Sequence, residues 1–373
     1  MKVLHICKVY LPTKGGVQVV VNWLSDGLKS KGWASTIFST FTRGSGKTES
    51  DIAGVNNSRS YGELFSLPLA PGIISKIWKH SNNFDIVCVH YPFPLADIAM
   101  ALLPRKNFSL VVYWHSEIVS QKLSALLLRP LTIRLLKRAD AIACSSPSLI
   151  THSKLLSKFQ SKCTIIPFGM PSTNQAPTTI KPSAANYFLF IGRHVPYKGI
   201  DCLLQGFADS FADQKSSNYT LKIVGSGPLL LRHQKLAASL NISDKVDFLI
   251  DVSDAELDAL LASCRCLVLP SVLKSEAFGL VQIEAMSNGR PIINTSLDSG
   301  VPWVARNNRE AITVKPNNVE QLSSALTKIS TNHDFTDELG GNALKRFSEV
   351  FEYSTFCENT DSLYRSLLKN QHQ

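Results

Sequence analysis

The sequence predicts an α/β protein made of two doubly wound domains. Three observations point there. Apolar strand-like runs alternate with helical patterns from end to end, which implies parallel sheets covered by helices on both faces. The 373 residues exceed one ordinary core and fit two domains. Between the halves, residues 171–183 are rich in Pro, Ser and Thr and lack apolar periodicity, as a linker does.

In the first half the strand-like runs are 3–7, 34–39, 86–90, 110–115, 141–145 and 164–167. The second half repeats the alternation with 187–192, 221–225, 246–250, 266–270, 291–295 and 311–314. The expected organisation is therefore a first domain over 1–170, a linker over 171–185, a second domain over 186–350, and a terminal helix over 351–373 that returns across the boundary to the first domain. The short apolar run 266–271 ahead of a helix opening at Val281 places Glu276 in a strand-to-helix loop. Open α/β sheets bind ligands at such loops.

Composition narrows the class. With 44% hydrophobic and 18% charged residues the chain is ordinary globular material, and no run of 18 apolar residues suggests a membrane span. Lys8 and Pro12 interrupt the N-terminal apolar run, so a strand is expected there, not a signal peptide, and a cytoplasmic location with it. The eight cysteines are scattered without a Cys-x-x-Cys pair and read as reduced core residues; the nine histidines form no ligand cluster, so no metal is expected. The formal charge of +10 is uneven: residues 1–180 carry 20 Lys and Arg against 8 Asp and Glu, the remainder 19 against 21. Basic surface belongs to the first half.

Several segments carry chemistry. Residues 275–286 set Glu276 and Glu284 eight positions apart around Phe278-Gly279-Leu280-Val281. A glycosidase pair stands roughly 5 to 9.5 Å apart. Eight residues at about 1.5 Å each give about 12 Å, too far for one glycosidic bond but suited to two sugars joined by a diphosphate. A helix N-terminus between them would suit the phosphates. The alternative is a solvated loop carboxylate and an ordinary helix-face charge. Residues 192–199 deliver Arg193 and Lys198 from a buried strand, with Gly192 and Gly199 allowing close backbone approach, or simply two surface charges. Gly225-Ser226-Gly227-Pro228 ends another strand; as a dinucleotide fingerprint it lacks the third glycine and Pro228 follows directly, and a plain strand-ending turn is the better explanation of the segment alone. Gly15-Gly16 could offer N–H groups to an anion or form a flexible turn. His115 ends an apolar strand, where a lone histidine is more often structural, yet a strand terminus is also a functional location.

In order and spacing, Gly15-Gly16, His115, Gly192-Arg193 with Lys198-Gly199, Gly225-x-Gly227-Pro228, and Glu276 with Glu284 resemble glycosyltransferase family 4. The resemblance covers nearly the whole chain and is most specific in 192–199 and 275–286. It implies the GT-B fold, two facing Rossmann-like domains with a cleft between them, and transfer of a sugar from a nucleotide donor with retention of anomeric configuration and without a metal or other cofactor. The chain has no Asp-x-Asp motif. By resemblance, Arg193 and Lys198 bind the donor diphosphate and Glu276 the hexose hydroxyls. Glu284 binds the ribose, the backbone around Gly279, Leu280 and Val281 meets the phosphates, His115 lines the sugar pocket, and Gly16 lets its loop approach donor and acceptor. Residues 296–304 resemble the subgroup building bacterial polysaccharides and lipid-linked oligosaccharides. GDP-mannose is slightly favoured as donor, UDP-hexoses next. The stretch 306–311 departs from the family in lacking a Gly-rich turn, which puts the local loop shape in doubt.

Residues 122–138 mix leucines with Lys122, Arg129, Arg134, Lys137 and Arg138. Such segments lie on anionic bilayers, each basic side chain contributing about 1 kcal/mol, or pack as helices with a solvated basic face. Pro130 is expected to break or restart this helix. The membrane reading expects peripheral attachment to the inner leaflet, with a lipid-linked glycan as acceptor. Rival classes are a sugar-nucleotide epimerase, a non-catalytic sugar-nucleotide binder, and a nucleic-acid-binding protein; the last finds no motif beside the charge.

Overall fold

Each half of the chain builds its own parallel sheet. In the computed structural model, which describes residues 1–10, 15–42, 54–64, 67–104, 106–117, 122–171, 181–211 and 218–371, the first unit comprises Met1–Met170 with Tyr353–Gln373 and the second Pro171–Glu352.

The first unit contains β1 (Lys2–Val9), α1 (Gly16–Ser30), β2 (Ala34–Thr42), β3 (Val55–Ser60), the two-residue strands β4 (Glu63–Leu64) and β5 (Leu67–Pro68), α2 (Gly72–His80), β6 (Ile86–Tyr91), α3 (Pro94–Leu102), β7 (Ser109–Trp114), α4 (Lys122–Arg138), β8 (Ala141–Cys144), α5 (Pro147–Thr151) and β9 (Cys163–Ile165). Seven strands pair in the order β3-β2-β1-β6-β7-β8-β9, all parallel. β6 and β7 are buried along their whole length, which is why they read as continuous apolar runs. The polar edge strand β3, Val-Asn-Asn-Ser-Arg-Ser, has no such run and gave no sequence signal.

The second unit contains β10 (Tyr187–Ile191), α6 (Ile200–Phe211), β11 (Thr220–Val224), α7 (Leu230–Ser239), β12 (Val246–Leu249), α8 (Asp254–Ser263), β13 (Cys266–Val268), α9 (Leu280–Ser287), β14 (Ile292–Thr295), α10 (Val301–Val304), β15 (Ala311–Val314), α11 (Val319–Thr331) and α12 (His333–Arg346). Its strands run β12-β11-β10-β13-β14-β15, again parallel. Strand order reverses between β1 and β6 in one sheet and between β10 and β13 in the other. Those are the switch points where such sheets open a ligand crevice beyond their carboxyl ends.

The last helix, α13 (Tyr353–Gln371), belongs to the first unit. Tyr353 Oη donates to Trp23 O (2.7 Å), Trp33 Nε1 donates to Asp361 Oδ1 (2.7 Å), and Trp33 meets Tyr364 edge to face at 5.4 Å. A Cβ on Gly27 would come within 2.1 Å of Cys357 Sγ, so only glycine lets α1 and α13 approach this closely.

One local expectation is corrected. Pro130 does not break α4, which runs through it: the proline is exposed, while Thr132, Leu135 and Leu136 bury the next turn, and Thr132 Oγ1 donates to Asp97 Oδ2 (3.1 Å). In 306–311, where the sequence lacks the family's Gly-rich turn, Asn308 takes the left-handed conformation (φ 54°), beside an Arg306–Glu310 ion pair of 2.5 Å. Most of the expected linker, 172–180, lies outside the described residues. Its far end is tied down where Ser183 N and Oγ donate to Asp337 (2.9 and 2.8 Å). Among the described residues no helix is long and apolar enough to cross a membrane.

Candidate active site

At the switch point of the second sheet, the loop after β10 meets the loop after β13. Val272 N donates to Tyr197 O (2.8 Å), and Gly199, at φ +71°, sits so close to Pro270 that a Cβ would fall 2.1 Å from its carbonyl oxygen. That approach brings Lys198 Nζ to 2.5 Å from Glu276 Oε2, with the two side chains only 13% and 11% exposed. Ser271 Oγ donates to the same carboxylate oxygen at 3.0 Å. A lysine and a glutamate 78 residues apart are thus paired and largely withdrawn from solvent.

Glu276 is followed by Phe278, buried and edge to face with Phe351 at 6.0 Å, and by Gly279 (φ 72°), the N-cap of α9. A Cβ on Gly279 would strike Leu269 at 2.7 Å. Leu280 and Val281 open the helix, whose first N–H groups find no intrahelical acceptor and carry the positive dipole end. Because α9 starts only at Leu280, residues 276–279 are loop, and the helical rise assumed between the two glutamates covers only its second part. Glu284, one turn into α9, has its carboxyl pushed up to about 7 by burial, reinforced by Asp258 of α8 and opposed by Lys198. Arg193 is exposed and has no ion-pair partner among the described residues. Gly192 lies against Lys198, its would-be Cβ 3.4 Å from Cε.

The glycines of the β11–α7 turn have a packing reason independent of any ligand. A Cβ on Gly225 (φ +132°) would lie 2.3 Å from Gly192 O, and one on Gly227 (φ +155°) 2.7 Å from His194 N and O. They press this turn onto the loop holding Arg193. Behind it His194 Nδ1 meets His233 Nδ1 at 2.8 Å, and His233 Nε2 stands 3.5 Å from Asp201 Oδ1, a buried chain that sequence reading missed.

In the first unit, Gly15 is the N-cap of α1 with extended backbone and Gly16 is the exposed first helical residue; the preceding 11–14 lie outside the described residues. His115 comes directly after β7, 5% exposed, stacked on Tyr113 (5.1 Å) and Phe168 (5.4 Å). Its Nε2 meets His90 Nδ1 at 2.8 Å, and His90 Nε2 meets His5 Nδ1 at 3.0 Å. His5, Cys88 and His90 bring three ligand-type atoms within 4.8 Å, but the two nitrogens are already at hydrogen-bond contact with each other. Neither His5 nor His90 was singled out in the sequence. The available signal was two histidines inside runs that otherwise read as buried apolar strands.

On α4, Arg129, Arg134 and Lys137 are exposed, Arg138 is half-buried, and the side chain of Lys122 lies outside the described residues. Beside them Leu126 and Leu127 are 63% and 75% exposed. Apolar side chains outside a basic helix are what a solvated amphipathic face does not need.

Solved glycosyltransferases share this architecture. Sucrose-phosphate synthase from Thermosynechococcus elongatus superposes with a TM-score of 0.80 at 20% identity, over 99% of each chain. Anabaena Alr3699/HepE in complex with UDP does so with 0.77 at 17%, over 98% of this chain and 100% of that one. Two Rossmann-like units with an anion-friendly loop set at a switch point make this chain a glycosyltransferase of the GT-B class. The model for Glycosyltransferase Family 4 matches residues 14–172 and that for Glycosyl transferases group 1 residues 172–346. O-antigen chain mannosyltransferase C of Escherichia coli is 30% identical over 380 residues, 100% of both chains, and D-rhamnosyltransferase WbpZ of Pseudomonas aeruginosa 28% over 361, covering 94% of this chain and 92% of its own. The chain belongs to glycosyltransferase family 4.

Proposed function

We propose that the protein moves a hexose from a nucleoside-diphosphate sugar, with GDP-mannose favoured over UDP-hexoses, onto a lipid-linked glycan, retaining the anomeric configuration and needing no metal. The observation that carries this reading is the Lys198–Glu276 pair beside the start of α9. A diphosphate arriving there attracts Lys198, Arg193 and the first N–H groups of α9, and Lys198 leaves Glu276 free to accept from sugar hydroxyls. Two cations and a helix end then stabilise the charge that grows on the leaving nucleotide, the role a metal takes in other transferases. Glu284 accepts the ribose hydroxyls, while His115 and Gly16 of the first unit keep the roles the resemblance implies. No side chain is assigned as general base; the donor phosphate takes the acceptor proton.

The mannosyl preference rests on the full-length relatives named for O-antigen mannosyl and D-rhamnosyl transfer. The lipid-linked acceptor and peripheral attachment to the inner membrane face rest on the exposed Leu126, Leu127, Arg129, Arg134 and Lys137. Transfer from GDP-mannose to membrane-extracted lipid-linked glycan, run in EDTA with the product anomer read by NMR, tests the reading. We expect an α product from the α-linked donor and a loss of about 10²- to 10³-fold in Lys198→Ala and in Glu276→Ala. Full transfer in both variants, an inverted product, or epimerised donor without transfer would each sink it.

A further inference from the structure

Three buried histidines of the first unit form one hydrogen-bonded file: His5 in β1, His90 in β6 and His115 just beyond β7. The parallel register of β1, β6 and β7 creates it, pairing His5 with Cys88 and His90 with Tyr113. Tyr113 stacks on His90 (5.8 Å, 7°) and on His115 (5.1 Å, 20°), and its hydroxyl donates to Ile166 O at 2.7 Å, so the rings have fixed planes.

Each N···N link needs one N–H and one lone pair, and a neutral imidazole has one of each. Burial keeps the rings neutral: it lowers His5 and His115 to about 3 and His90 well below its ordinary value. The file can therefore run in only two directions. Running inward, His115 donates from Nε2 and the surplus N–H falls on His5 Nε2, an enclosed atom with no partner among the described residues. Running outward, His5 and His90 donate from Nδ1, the surplus N–H is His115 Nδ1, and His5 Nε2 holds only a lone pair. Buried N–H groups without an acceptor are rarer than unsatisfied acceptors.

We propose that His5 and His90 are positioning residues that hold His115 in its Nδ1–H tautomer, so that it meets its ligand as a hydrogen-bond donor to a sugar or phosphate oxygen. The functional half rests on the reading of His115 as a ligand-contacting residue. A ring whose Nε2 lone pair is occupied and whose Nδ1 is protonated donates and does not take a proton, which agrees with assigning no protein base.

Two-bond ¹H–¹⁵N correlation spectra of the full chain labelled with ¹⁵N-histidine, assigned through single His→Gln variants, test the tautomer directly. The expected pattern is a protonated Nδ1 and an unprotonated Nε2 on His115, unchanged from pH 6 to 8. A protonated Nε2, or a tautomer average, overturns the proposal. In His90→Leu we expect His115 to become a tautomer average and kcat/KM to fall roughly tenfold, as when the partner orienting a working imidazole is lost. His90→Asn keeps a polar atom near Nδ1 and should recover most of the rate. An unchanged tautomer and rate in His90→Leu also overturn the proposal. Wild-type transfer by His115→Ala, with the Nδ1–H spectrum intact in the parent, removes the functional half alone.

Discussion

Glu284 shows what a candidate site residue costs the fold. Its carboxyl is raised from an ordinary 4.5 to about 7 by burial, so between those values the folded chain binds more protons than the unfolded one. Stability from this group is intact below about 4.5 and is lost as pH rises through about 7. Glu284→Gln is therefore expected to raise Tm at pH 8 by roughly 2–4 °C, the shift about 1 kcal/mol gives a domain of this size, and to leave it nearly unchanged at pH 5. Scanning calorimetry at both pH values checks the sign; a variant equally stabilised at the two pH values, or destabilised at pH 8, contradicts the burial argument. At this scale the candidate donor residues were legible because they are local: 192–199 and 275–286 each carry their glycines and charges within one short segment. The Lys198–Glu276 pairing was not, nor was the file His5–His90–His115. Their members are 78, 85 and 25 residues apart, and only sheet order brings them together.

Among elements, the strands that sequence revealed are those buried on both faces, such as β6 and β7; the half-polar edge strand β3 escaped because nothing about Asn56, Asn57, Ser58 and Arg59 alternates strongly. The proline expected to interrupt α4 failed to do so because the buried Thr132, Leu135 and Leu136 anchor the helical turns beyond it. α4 also carries the membrane proposal. Replacing Arg129, Arg134 and Lys137 together by Glu should abolish flotation with anionic liposomes at physiological salt, since each basic side chain contributes about 1 kcal/mol. Sugar-nucleotide binding should persist. If the triple variant floats like the parent, or the parent never floats, α4 is not the membrane surface.

For the molecule as a whole, the chain's last helix is part of its first unit, so that unit is discontinuous in sequence. Phe356 and Tyr364 are buried on it, and each buried aromatic side chain contributes about 1.5–3 kcal/mol. Removing 353–373 should lower the melting transition of the first unit by more than about 10 °C and leave that of the second in place; a single unchanged transition would contradict this assembly. The central claim is that the second unit binds a nucleotide sugar through Lys198 and Glu276, and thermal-shift titration with GDP-mannose, GDP and UDP-hexoses tests it most directly. At 100 times Kd a ligand adds about 2.7 kcal/mol, several degrees here. The account predicts that shift for the wild type, greatest with GDP-mannose, and its loss in Lys198→Ala and Glu276→Ala; no shift with any nucleotide, or equal shifts in both variants, would contradict it.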